Sequence, residues 1–131
     1  MRSSRGAFGG VPRAGTYYLT ADGPPDRPIA IKAAGDGEVI FDGSGNFALF
    51  NVMAADYNYF EGITFRNTEY AIWAGKQFIA GAKGLTVTNS RFENVVAGGF
   101  TNYSGSSNYY IADNWFYGRN DPERLIGWSD E

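Results

Sequence analysis

Apolar and polar positions alternate in short runs along this chain, and the runs return at a nearly constant interval. Leu85-Thr86-Val87-Thr88 alternates apolar residues with threonine, the period-2 mark of a half-buried strand. Asn89-Ser90 interrupts it, and Arg91-Phe92-Glu93 resumes the alternation. Upstream, Ile29-Ala30-Ile31-Lys32 and Val39-Ile40-Phe41-Asp42 form the same pair around a longer turn from Ala33 to Glu38. A further short run precedes each pair: Ala48-Leu49-Phe50, Ala71-Ile72-Trp73 and Gly99-Phe100-Thr101.

A phenylalanine signature sets the interval. Phe41-Asp42-Gly43, Phe65-Arg66-Asn67, Phe92-Glu93-Asn94 and Phe116-Tyr117-Gly118 place their phenylalanines 24, 27 and 24 residues apart. The preceding residues align as well, with Phe60 to Phe65 over Val87 to Phe92 and Ile111 to Phe116. A period in the twenties marks a solenoid, in which each repeat buries its apolar side only by stacking on its neighbours. Three short strands per turn at this period describe an all-β chain, a parallel β-helix of about four rungs. Gly62, Asn89 and Asp113 share the corner between paired runs, and all three residue types tolerate the left-handed backbone of a tight bend.

The alternation also predicts facing. Ile29, Asn58, Leu85 and Tyr109 form one inward column, Ile31, Phe60, Val87 and Ile111 a second, and the repeating phenylalanines a third. Asn58 is the misfit, expected either to bond internally or to turn outward at a bulge, since a buried unpaired amide costs about 1–3 kcal/mol. The flanking residues then face solvent in two columns, Ile40–Thr64–Arg91–Trp115 and Asp42–Arg66–Glu93–Tyr117. Neighbours in such a column are about 4.8 Å apart, so Asp42, Arg66 and Glu93 make a ladder of alternating charge.

Composition narrows the chemistry. A chain of 131 residues supports one modest domain, and 18 glycines with 17% aromatics disfavour helices. The formal charge of −3 offers no electrostatic attraction for nucleic acid or an acidic membrane face, and no apolar run is long enough to span a bilayer. Neither cysteine nor histidine occurs, which removes disulfides, thiolate zinc sites, imidazole bases and the commonest metal ligand. No cofactor or metal is expected. The basic opening Met1-Arg2-Ser3-Ser4-Arg5-Gly6 lacks the apolar stretch of a signal peptide.

Gly15-Thr16-Tyr17, Pro28-Ile29-Ala30-Ile31, the stretch from Gly35 to Gly43 and Glu61-Gly62-Ile63-Thr64-Phe65-Arg66-Asn67 resemble the N-terminal rungs of right-handed parallel β-helix proteins. These are the pectin-lyase-like superfamily, including polysaccharide lyases of the alginate-lyase and chondroitinase-B type. The resemblance covers roughly residues 15–128. It implies a right-handed coil and an association with carbohydrate, usually outside the cell. Such enzymes run to many more rungs behind a capping segment, and their catalytic Lys/Arg motifs lie in later rungs. No catalytic residue transfers by position. On this resemblance residues 1–14 form an irregular arm, and 15–131 a single domain that is short for the family, with uncapped or poorly capped ends.

Several residues are candidates for chemistry. A β-elimination lyase needs a cation for a uronate carboxylate and a base for the α-proton. Arg91 beside Trp115 and Glu93, with Arg66, Tyr117 and Lys76 nearby, makes a basic, aromatic-flanked surface conceivable. A sugar stacked on Trp115 with Arg91 gripping a carboxylate is one arrangement. The other is a packed ladder in which Arg91 lies over Trp115 and Arg66 pairs with Asp42 and Glu93. Asp113 with Asp121, or Asp42 with Glu93, are carboxylate pairs for glycoside hydrolysis, although Asp113 holds a corner position. Asp36, Asp42 and Asp56 are too scattered for a calcium loop. Asn102-Tyr103-Ser104 matches a glycosylation sequon, and the segment Gly75 to Gly81, with Phe78 and Ile79, lengthens the third turn.

The reading is a carbohydrate-associated β-helix module without an identifiable complete active site. One alternative is a polyuronate lyase or glycoside hydrolase whose site is assembled across subunits. Another is a non-catalytic structural or adhesive stacking module. Open solenoid ends also predict a homo-oligomer, unless residues 119–124 fold across one of them.

Overall fold

A computed structural model describes residues 15–35, 37–74, 81–100 and 105–118. Nine strands are found there: β1 (Tyr17–Tyr18), β2 (Ile29–Lys32), β3 (Val39–Asn51), β4 (Asn58–Glu61), β5 (Ile63–Trp73), β6 (Thr86–Thr88), β7 (Arg91–Phe100), β8 (Tyr110–Ala112) and β9 (Trp115–Tyr117). The described residues contain no helix. Odd strands form one sheet in the order β1-β3-β5-β7-β9, and even strands a second in the order β2-β4-β6-β8. Every pairing is parallel. Parallel neighbours need a crossover between them. Here the crossover is a strand of the other sheet, so the chain passes from one sheet to the other and returns one strand further along.

The register follows the repeat. Phe41, Phe65, Phe92 and Phe116 lie on one line, as do Ile31, Phe60, Val87 and Ile111. Both outward columns hold, Ile40–Thr64–Arg91–Trp115 and Asp42–Arg66–Glu93–Tyr117. A fourth line, Tyr17–Phe50–Ile72–Phe100, was not foreseen. The core lies between the sheets, where Phe50, Phe60, Phe65, Phe92, Ile72 and Leu85 are sealed from solvent.

Corners use left-handed backbone at recurring places. Gly62 (φ 72°), Asn89 (φ 48°) and Asp113 (φ 57°) turn the chain between the two sheets. Tyr57 (φ 58°), Gly84 (φ 64°) and Asn108 (φ 58°) do the same just before the inner column of Asn58, Leu85 and Tyr109. Asn67 (φ 57°) and Asn94 (φ 52°) bend β5 and β7 without ending them. The predicted third short strand is therefore not separate. It continues within β3, β5 and β7, which run 13, 11 and 10 residues, with register shifts after Asp42 and Thr68.

The expectation about Thr64 needs correction, while that about Asn58 is resolved in favour of the internal bond. Thr64 belongs to an outward column yet is buried, because its hydroxyl donates to Glu38 Oε2 at 3.1 Å and the end of the preceding turn covers it. Asn58 does not turn outward. It is 1% exposed, and its Nδ2 donates to the Ala55 carbonyl at 3.2 Å while Oδ1 has no partner.

Candidate functional site

Strands β5, β7 and β9 each start directly after a corner, so their first outward side chains are held at a fixed place on the same face. Thr64 and Arg66, Arg91 and Glu93, and Trp115 and Tyr117 are the resulting pairs, because alternate residues of a strand share a face. Five of the sequence candidates (Arg66, Arg91, Glu93, Trp115 and Tyr117) thus come together on one surface. Lys76 lies outside the described residues, as do Asp36, Phe78, Ile79, the sequon at Asn102, Asp121 and the terminal segments.

The charged column is internally paired. Arg66 Nε lies 3.4 Å from Asp42 Oδ2, and its Nη1 lies 3.8 Å from Glu93 Oε1. Arg91 Nε donates to Glu93 Oε2 at 3.1 Å. The Arg91 guanidinium sits over Tyr117, 5.0 Å from the ring centroid, rather than in the expected place over Trp115. The ring diagonal to Arg91, one strand along, receives the cation, and such diagonal neighbours are within reach of long side chains. The hydrogen bond to Glu93 raises the Arg91 pKa further, with weaker contributions from Tyr117 and Glu38.

Two aromatic side chains stay open beside this ladder. Trp115 is 54% and Tyr117 47% exposed.

A second ladder runs along the corner that follows. Asn94 Nδ2 donates to Asn67 Oδ1 at 2.9 Å, Asn67 Nδ2 donates to Asp42 Oδ2 at 2.9 Å, and the Ser44 N–H donates to Asp42 Oδ1 at 2.9 Å. The Ser44 amide is the chief reason that the Asp42 carboxyl is held below its ordinary pKa; desolvation opposes it next in importance, and Asn67 and Arg66 add to the lowering. These residues border an open groove of about 470 Å³ whose lining includes Glu69 and Val96. Sequence reasoning missed this groove. The recurrence of asparagine after Phe-Arg and Phe-Glu was the signal that could have found it.

The other carboxylates have structural partners. Asp113 occupies its corner. The Asp56 carboxylate accepts the Lys83 N–H at 2.9 Å, and Asp22 accepts the Asp56 N–H at 2.7 Å, tying successive coils at a different edge. Asp42 and Glu93 are bridged by Arg66 rather than facing a common substrate position. A carboxyl held charged, as Asp42 is, is also a weak proton donor. Among the described residues no group of three or more acidic side chains is placed to hold a metal ion.

No family model, curated protein or solved structure matches this chain.

Proposed function

We propose that the chain is a carbohydrate-associated module of the right-handed parallel β-helix type, and that it binds glycan without a catalytic centre of its own on the face of β5, β7 and β9. The pectin-lyase-like resemblance of residues 15–128 supports the coil. The parallel, in-register repeat of the phenylalanine line is what such a coil requires. The observation that carries the binding role is the exposed Trp115 ring next to fixed polar groups, with the part-exposed Tyr117 ring beside it under the Arg91 guanidinium. Aromatic rings offer apolar area at low entropic cost, and a few placed polar groups orient a ligand on them.

Affinity electrophoresis through gels containing different polysaccharides tests the reading. Retardation by at least one glycan, removed in Trp115→Ala and weakened in Tyr117→Ala, is the expected result. Loss of neither effect in the variants, or no retardation at all, would refute it. Incubation with alginate, pectate and chondroitin, monitored for the near-ultraviolet absorbance of unsaturated uronates, tests the lyase alternative.

A further inference from the structure

The charge balance of the binding face distinguishes among glycans, an inference that rests on reading that face as a glycan site. Both described arginines on it are already engaged: Arg66 with Asp42 and Glu93, and Arg91 with Glu93 and the Tyr117 ring. Glu38, bonded to Thr64, also acts on Arg91. Among the described residues, three carboxylates (Glu38, Asp42 and Glu93) therefore stand against two guanidinium groups. A uronate chain arriving here would bring further negative charge to a face where each arginine already has a carboxylate beside it. Desolvating a charge without a free partner is unfavourable.

The neighbouring groove points the same way. It is reached from the same strands, since Asn67 follows Arg66 and Asn94 follows Glu93. Among the described residues its ionisable lining, Asp42 and Glu69, is acidic, and Ser44, Asn67 and Asn94 supply hydroxyl and amide groups. Its volume of about 470 Å³ falls within the range of small-ligand sites, roughly 300–1,000 Å³. Carboxylate and amide groups, with no cationic side chain among the described lining residues, suit hydroxyl groups, which donate and accept, better than another carboxylate, which only accepts. We propose that this groove is a subsite for an uncharged, hydroxyl-rich sugar unit, and that the chain discriminates against polyuronates.

The test uses the full chain at low ionic strength, where electrostatic attraction to a polyanion would be strongest. The probes are mixed-linkage β-glucan and galactomannan as neutral polymers, and alginate and pectate as polyuronates. Two variants report on the groove: Glu69→Gln, an exposed site, and Asn94→Gly, which removes the amide while keeping a residue suited to the positive φ of 52°. Their thermal melts establish that they fold. The expected result is binding to a neutral polymer, weakened roughly three- to tenfold in each variant, with no binding to alginate or pectate. Polyuronate binding equal to or tighter than neutral binding overturns the discrimination while leaving glycan binding intact. Neutral binding untouched in both variants overturns the groove as a subsite. Binding to none of the four polymers removes the glycan reading itself.

Discussion

The rings of Phe65 and Phe92 stack at 4.8 Å with an interplanar angle of 13°, although 27 residues of chain separate them. Phe92 in turn stacks on Phe116 at 4.6 Å and 9°. Each phenylalanine follows a corner by the same number of residues, so parallel pairing places one ring directly on the next. Such pairs contribute about 0.5–1.5 kcal/mol beyond the area that they bury.

The stack is not uniform in burial, and this gives a first prediction. Phe92 is 1% exposed, whereas Phe116 is 56% exposed. Phe92→Ala leaves a cavity and lowers stability by about 3–5 kcal/mol, while Phe116→Ala costs less than about 2 kcal/mol. Urea denaturation of the two variants checks the ranking, and equal losses would contradict it.

Backbone conformation yields the second. At Gly84 (φ +64°) an added Cβ would lie 2.5 Å from Tyr57 Cδ1, whereas at Gly35 (φ +96°) it would meet nothing within 4 Å. Gly35→Ala incurs only the left-handed penalty, about 1–2 kcal/mol. Gly84→Ala adds displacement of the Tyr57 ring and is the more destabilising of the two by at least about 1 kcal/mol. Thermal or urea melts measure the difference.

The third concerns pH. The Asp42 carboxyl is held below the usual value of 3.8, so the folded state prefers it charged. That contribution is fully present above the unfolded value and is lost as pH falls through the lower folded value. Asp42→Asn keeps a side chain of similar shape without the titration. The stability advantage of the parent chain over this variant should be constant from pH 5 to pH 7, shrink below about pH 4 and vanish at lower pH. A melting series across that range reads it directly, and an advantage that grows with acid would be the wrong sign.

The fourth concerns the charge ladder. Arg66 and both of its partners are part-exposed, with Arg66 at 37% and Asp42 at 40%. Exposed pairs contribute about 0.2–1 kcal/mol each and are screened by salt. Arg66→Met should therefore cost no more than about 1–2 kcal/mol, and the loss should shrink in 1 M salt.

Much of this arrangement was legible because the repeat is set by local chemistry. The phenylalanine spacing, the two outward columns and the corner of Gly62, Asn89 and Asp113 all follow from alternation and from residues that accept positive φ. What escaped depends on contacts between coils. Thr64 reads as a surface threonine until Glu38 from the preceding turn covers it. The choice of Tyr117 over Trp115 by Arg91 is a matter of diagonal reach, which periodicity does not encode. Tyr57 at φ 58° is invisible to propensity, because a bulky residue there is sustained only by its surroundings, including the 2.8 Å bond from its N–H to the Lys83 carbonyl. The amide ladder of Asn67 and Asn94 was hidden in the same way, since it exists only once the two coils are superposed.

Because each coil meets the next along matching register lines, the scaffold behaves as a ruler with interchangeable divisions. Phe92 accepts Phe65 on one side and Phe116 on the other in nearly the same geometry. Adding or deleting one whole division would change the length of the outward surface while keeping the phenylalanine line in register. A single residue inserted within β5 would instead reverse the facing of everything beyond it up to the next corner. The length of the sheet face can thus change in whole steps while the inner phenylalanine line keeps its register.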